Sequence, residues 1–178
     1  MMLRIPFRCL FLLAVSISVC LAEGPQLPDV VSNAEPGLKF QGQARLRMFG
    51  FHIYDSSLWA GGDRYRSDEL FALHIRYARN FKGEALAKRS VEEWQRMGIG
   101  DAENHQRWLA EMLRVFPDVK PGDSLVGVSV PGRGARFYSD SRFLGTVEDW
   151  EFARAFFAIW LDPRTSEPGG REKLLGGK

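Results

Sequence analysis

The sequence GQARLRMFGFHIYDSSLWAGG, residues 42–62, predicts two adjoining β-strands. Polar and apolar side chains alternate over residues 43–48, which is the period of a strand with two different faces. Strand character resumes over residues 51–59, and the glycines that follow predict a turn. Between the two segments, Phe49 and Gly50 form either a two-residue hairpin turn or a β-bulge within one long strand.

The choice between turn and bulge decides which polar side chains share a face of the sheet. With a turn, Arg47 faces His52 and Arg45 faces Tyr54 across the hairpin. With a bulge, the parity changes and this cluster separates. Because desolvating cationic and hydrogen-bonding groups costs free energy unless something pairs with them, a shared face would indicate a site for an anion.

A third strand, predicted over residues 70–78, places His74 and Arg76 on one face, where they could extend the same row. Arginines and a phenol on one face can hold a carboxylate by paired hydrogen bonds. The alternative is a solvated polar face, which antiparallel sheets often have and which needs no ligand. On the first interpretation, the candidate ligand-binding residues are Arg45, Arg47, His52, Tyr54, His74 and Arg76.

The N-terminus has the pattern of a secretory signal peptide over residues 1–22. A short basic start precedes an apolar run of roughly 12 residues, too short to span a bilayer, which needs about 20. We therefore expect a secreted, periplasmic protein without a transmembrane segment. Lipid modification at Cys20 is the less favoured alternative, because valine is a poor residue before a lipidation cysteine.

Removing this segment changes the composition of the chain. The full sequence has 24 Lys and Arg against 22 Asp and Glu, and the loss of Arg4 and Arg8 leaves 22 of each. A neutral chain predicts no nucleic-acid partner. Both cysteines, Cys9 and Cys20, are removed with the signal peptide, so the mature chain is expected to have no thiol for a disulfide or a thiolate metal site. Residues 23–37 are predicted to be an extended lead-in to one domain over residues 38–178.

The rest of the chain predicts two helices, three short strands and two further helices. The first two helices span residues 83–97 and a segment from Asp101 to the residue before Pro117, which cannot continue a helix. Strands follow at 124–130, 135–138 and 142–146, and Thr146 is expected to cap the third helix. A last short helix is expected over residues 166–175. This order indicates an α+β fold with a mostly antiparallel sheet packed against helices.

Other chemistry finds little support in the sequence. The three histidines have no spacing typical of metal ligands, and we expect no metal site and no cofactor. Ser129 lies in GVSVPG, which lacks the pattern of a hydrolase nucleophile.

Four blocks of sequence resemble the chalcone isomerase-like family, in particular its secreted bacterial branch. They are GQARLRMFGFHIYDSSLW, ALHIRYARNFKGEALAKRSVEEW, FPDVKPGDSLVGVSVPGRGARFY and EFARAFFAIWLDPRTSEPGGREKLLG. The resemblance implies an open-faced β-sandwich in which helices cover a large antiparallel sheet, with a ligand cleft between them. It also implies either a flavonoid isomerase or a fatty-acid-binding relative that performs no reaction.

The residues that the family uses carry over only in part. The strand arginine of the family falls at Arg45 or Arg47, and its Ser/Thr near the C-terminal helix at Thr165 or Ser166. The helix tyrosine and asparagine are absent from KGEALAKRSVEEW, where Glu92 and Glu93 occupy the corresponding region.

Three functions remain open at this point. The favoured one is a small-molecule binder for a partly apolar anion such as a fatty or aromatic acid. The second is an isomerase or intramolecular lyase, with Arg45 or Arg47 stabilising an enolate and Tyr54 or Tyr77 replacing the missing tyrosine. The third is an interaction module of the cell envelope. The oligomeric state stays open.

Overall fold

The computed structural model describes residues 24–177. The signal peptide predicted over residues 1–22, including Cys20, lies outside the described residues. Within the described range, every helix is too short or too polar to cross a bilayer.

Six antiparallel strands form one sheet in which each strand pairs with the next along the chain. This meander confirms the antiparallel sheet that the sequence predicts. The strands are β1 (Lys39–Met48), β2 (Phe51–Ala60), β3 (Phe71–Tyr77), β4 (Ser124–Val130), β5 (Gly134–Tyr138) and β6 (Phe143–Val147).

Five helices accompany the sheet. They are α1 (Asp29–Ala34), α2 (Gly83–Met97), α3 (Ala102–Val115), α4 (Trp150–Leu161) and α5 (Pro168–Leu174). Of these, α2, α3 and α4 pack together as a layer on one face of the sheet, here called the helix layer. Trp94 of α2 is fully buried, and its indole nitrogen donates to the carbonyl oxygen of Ala155 in α4 at 2.7 Å. This contact joins α2 to α4 in the helix layer.

The two faces of the sheet are covered differently, which makes the fold an open-faced α+β sandwich. The main core lies between the sheet and the helix layer, and side chains such as Leu58, Leu73 and Phe137 point into it. The other face, here called the open face, has a smaller core under α1, where Val31 packs with Val126 and Val128.

The hairpin between β1 and β2 contains both a turn and a bulge. Phe49 and Gly50 have φ values of 50° and 82°, so both central residues of the turn are left-handed, as in a type I′ turn. A left-handed conformation costs a residue with a side chain about 1–2 kcal/mol. The pairing also slips between the Leu46–Tyr54 pair and the Arg47–His52 pair, which leaves Ile53 as the extra residue.

Two predictions about the helices are wrong. Residues 29–34 of the lead-in form α1 instead of an extended segment, because the burial of Val31 on the open face fixes a helix that would be too short to form alone. The third long helix is capped by Asp149, whose carboxylate accepts from the amide of Phe152 at 2.9 Å. Thr146 instead pairs with Arg136 in the sheet.

Candidate functional site

A cavity of about 360 Å³ lies between the sheet and the helix layer. Its volume falls within the range of roughly 300–1,000 Å³ that is usual for small-molecule sites. Strands β1 to β4 form its floor, and α2, α4 and the segment after α4 form its walls. Most of the lining is apolar, and the apolar side chains include Leu46, Ile53, Ile75, Phe81, Phe116, Leu125 and Phe156.

Two tyrosines place phenol groups among these apolar side chains. Tyr54 and Tyr77 are neighbours in the β2–β3 ladder, and their rings meet edge to face. The hydroxyl of Tyr54 accepts a hydrogen bond from the indole nitrogen of Trp160 at 2.9 Å. Because this oxygen is the acceptor, its own proton is available to a ligand.

Both phenols stay protonated at neutral pH. Burial raises the pKa of Tyr54 to about 12, against the opposing effect of the bond from Trp160. Burial likewise raises the pKa of Tyr77. At neutral pH these groups act as hydrogen-bond donors, and neither can act as a base.

Charged groups meet the cavity along α2. Glu93 is 4% exposed and lies between two arginines, Arg89 and Arg96. Arg96 donates to it through Nε at 2.9 Å. Arg89 also donates to Glu92 at 3.0 Å and keeps more than half of its side chain exposed. Arg89 is thus the cation that borders the cavity, and its exposed Glu92 contact is the one that an incoming anion can replace.

The segment after α4 closes one side of the cavity. Thr165 and Ser166 both line it, together with Glu167. The hydroxyl of Thr165 is buried and donates to the carbonyl oxygen of Ile159 at 2.6 Å. This hydrogen bond fixes the turn from α4, so the role of Thr165 in the structure is to hold the wall in place.

The predicted cluster on β1 and β2 is divided between the two faces. Arg45 faces Asp55 in the ladder, and its Nε donates to the carboxylate at 2.6 Å. The prediction that Arg45 faces Tyr54 is wrong, because the extra residue Ile53 rotates Tyr54 to the helix side. Arg45 is absent from the cavity lining; with Tyr54 it borders a separate crevice of about 20 Å³ against α5, which is room for roughly one water.

Arg47 and His52 do face each other, as the turn predicts, but they do so on the open face. The Nε2 atom of His52 lies 3.2 Å from the Asp55 carboxylate. Neither Arg47 nor His52 lines the cavity. The arginines that would stabilise an enolate in a ring-closing reaction therefore lie on the opposite face of the sheet from Tyr54 and Tyr77.

His74 and Arg76 also belong to the open face, where they pair with Ser57 and Asp55. His74 is 8% exposed, and burial lowers the pKa of its imidazole. Arg76 is exposed. Of the six candidate residues, five thus lie on the open face and only Tyr54 reaches the cavity.

Sequence reasoning missed Arg89 as a cavity residue. A signal was present, since Ser90 and Glu93 lie at helical spacing from Leu86 on a stripe that should otherwise be apolar. Polar residues on such a stripe need partners when buried, and Arg89 is one turn from Glu93. Among residues 24–177, no group of three or more metal-ligating side chains comes together.

Comparison with known proteins assigns this chain to a family. The profile of the chalcone isomerase-like family matches residues 21–176. This chain belongs to that family. An uncharacterized protein of Haemophilus influenzae is 30% identical over 136 residues, which are 76% of this chain and 66% of that protein. The chain thus spans slightly less than two thirds of this relative.

A solved structure has the same chalcone isomerase-like fold. It is the crystal structure of a fatty-acid binding protein of Arabidopsis thaliana, with a TM-score of 0.61 and 11% sequence identity. The match covers 79% of this chain and 88% of the plant protein. At this identity the likeness establishes the fold, which is the antiparallel sheet with the helix layer on one face described above.

Proposed function

We propose that this protein binds a small amphipathic acid, a fatty or aromatic acid, in the cavity between the sheet and the helix layer, without catalysing a reaction. The observation that carries the proposal is the apolar cavity with a few convergent polar groups, which is the usual composition of a ligand site. The fatty-acid binding protein of the same fold supports the choice of ligand class.

The polar groups of the cavity suggest how the ligand is oriented. Its apolar part packs against the phenylalanines and aliphatic residues of the sheet and α4. Its carboxylate lies at the edge of the cavity, where it takes the place of Glu92 on Arg89. The protonated phenol of Tyr54 donates a second hydrogen bond to the bound molecule.

The proposed location is the periplasm or another compartment outside the cytoplasm. The support is the signal-like sequence of residues 1–22. An acid carrier in such a compartment would keep its apolar ligand out of water during transfer.

Isothermal titration of the mature protein with decanoic, palmitic and 4-coumaric acids tests the proposal. We expect binding of at least one acid and weaker binding of its methyl ester, which lacks the charge. Arg89→Gln should weaken binding of the acid about tenfold, the effect of losing one charge-assisted hydrogen bond, and Tyr54→Phe should weaken it less.

Arg45→Gln and Arg47→Gln are the matched controls, because both remove an arginine from the open face. They should leave the affinity unchanged. No binding of any acid would contradict the proposal. A loss of affinity in the controls, with Arg89→Gln unaffected, would move the site to the open face. Mass spectrometry of the protein as purified should show whether it already carries such a molecule.

A further inference from the structure

The tip of the β1–β2 hairpin carries apolar side chains where a turn normally has small polar ones. Phe49 occupies the first central position of the type I′ turn, where Asn or Asp usually precedes Gly. Phe49 is 93% exposed, so burial of its ring does not offset the free-energy cost of its left-handed conformation. Folding therefore gives no reason for a phenylalanine at this position.

The neighbours of Phe49 enlarge this apolar tip. Phe51 is 59% exposed and Met48 is 45% exposed. The three side chains, here called the hairpin tip, project from the end of the sheet at an edge strand. A group of large apolar residues on such a projection is typical of a surface that meets an apolar partner.

Two arginines, Arg47 and Arg79, flank the hairpin tip. The segments 45–52 and 76–82 carry five Lys and Arg and no Asp or Glu. The guanidinium of Arg79 lies 4.9 Å above the Phe51 ring, and its Nε donates to the carbonyl oxygen of His52 at 3.3 Å. Arg45 and Lys82 are neutralised by Asp55 and Asp118 at 2.6 Å each, whereas within residues 24–177 neither Arg47 nor Arg79 forms a salt bridge. Apolar side chains flanked by two arginines without carboxylate partners are complementary to an anionic lipid surface.

The hairpin tip is continuous with the cavity. Met48 belongs to the tip and also lines the cavity, as does Ile53, the extra residue of the bulge. A ligand that left the lipid at the tip would meet an apolar path from Met48 into the site. This last step rests on the proposed function, whereas contact of the tip with lipid does not.

We propose that the β1–β2 hairpin tip inserts into the interface of an anionic phospholipid membrane, with Phe49 and Phe51 among the acyl chains and Arg47 and Arg79 at the phosphates. The membrane is thereby the surface at which an apolar acid enters or leaves the cavity.

Cosedimentation of the ligand-free mature protein with vesicles tests this directly. We expect binding to phosphatidylglycerol–phosphatidylcholine vesicles, weaker binding to pure phosphatidylcholine, and loss of binding at high salt. Phe49→Asn should lower the partition coefficient about tenfold or more, since one buried aromatic side chain is removed from the lipid. Arg47→Gln should lower it about fivefold.

The Phe49→Asn variant separates binding from folding, because it creates the favoured Asn-Gly turn and should be at least as stable as the wild type. The controls are Phe143→Asn on the opposite edge strand, where the side chain is 51% exposed, and Arg133→Gln in the β4–β5 turn. Both should bind vesicles as the wild type does.

Two results would overturn the proposal. One is a wild-type protein that stays in the supernatant with both vesicle types, which would leave the tip as a contact surface for another protein. The other is an equal loss of vesicle binding in Phe49→Asn and Phe143→Asn. Binding of acids in solution, measured by titration without vesicles, remains a separate result, so failure of one proposal is distinguishable from failure of the other.

Discussion

At the scale of single residues, burial keeps the phenol groups of the tyrosines protonated well above neutral pH. The chain has four tyrosines, and burial raises the pKa of each of them above its usual value near 10. For Tyr54 and Tyr65 the raised value is about 12. A phenol surrounded by apolar side chains resists ionisation because the phenolate loses its hydration.

We therefore expect tyrosinate absorbance to appear at higher pH in the folded protein than in the urea-unfolded chain, which titrates near 10. Between pH 10 and 12 the unfolded state loses phenol protons that the folded state keeps, so the free energy of unfolding should fall as pH rises. Ultraviolet titration in both states measures this difference. In Tyr54→Phe, one late-titrating group should be missing, and coincident curves for the two states would contradict the expectation.

One extra residue, Ile53, decides the composition of the site. A hairpin with a regular ladder would place Tyr54 opposite Arg45, on the face with Arg47 and His52. The bulge at Ile53 turns Tyr54 toward the helices and leaves Arg45 with Asp55. A single-residue change of register moves every following side chain to the other face, so this position decides which polar groups line the site.

At the scale of elements, α5 lies against β1 through a close backbone contact at Gly42. A Cβ atom at this position would lie 2.1 Å from the carbonyl oxygen of Lys173 and 2.7 Å from that of Leu174. Leu174 is 1% exposed, so α5 is anchored by one buried side chain and by this contact. The segment that precedes α5 supplies Ser166 and Glu167 to the cavity.

Gly42→Ala should displace α5 and lower the free energy of unfolding by about 1–3 kcal/mol, the usual cost of overpacking. Urea denaturation measures the loss, and hydrogen exchange should show reduced protection in α5. Gly169→Ala is the matched control within α5 itself, because a Cβ there meets nothing within 4 Å. We expect that variant to be neutral or slightly stabilising, and equal effects at the two positions would argue against the close contact.

At the scale of the whole molecule, the cavity exists because the sheet and the helix layer do not meet everywhere. Aromatic rings of α4 fill one part of the gap, where Phe156 and Phe157 lie against Gly127 of the sheet. Near Ile75 the layers stay apart, and the space is lined by Tyr54, Tyr77 and side chains of α2. An apolar ligand in this space would bind only the folded state.

Ligand binding should accordingly raise the stability of the whole fold. At a decanoic acid concentration of a hundred times its dissociation constant, we expect a gain of about 2.7 kcal/mol, seen as a higher Tm in calorimetry. Ile75→Phe adds a ring to the cavity and should change the stability of the unliganded protein by only about 1–2 kcal/mol. The same variant should lose most of the ligand-induced rise, and a rise equal to that of the wild type would place the ligand elsewhere.

Local sequence signals predicted most of the helices and strands and the class of the fold. The alternation in residues 42–62, the capping residues Asp101 and Gly98, and Pro117 are local signals, and α2 has the predicted bounds. The family resemblance also followed from the sequence, because it rests on the order and spacing of whole blocks. The short helix α1 did not follow, since it exists only through the burial of Val31 on the open face.

The composition of the site depends instead on contacts between distant segments of the chain. No strong local signal marks the bulge at Ile53. This bulge divides the predicted cluster, and of its six residues Tyr54 is the one that lines the cavity. Arg89 lines the cavity because α2 packs against α4 above the sheet, a contact between residues far apart in the chain. A local pattern predicts the periodicity of a segment. The face of the sheet to which a side chain points depends on the strand register, and its neighbours depend on how distant segments pack together.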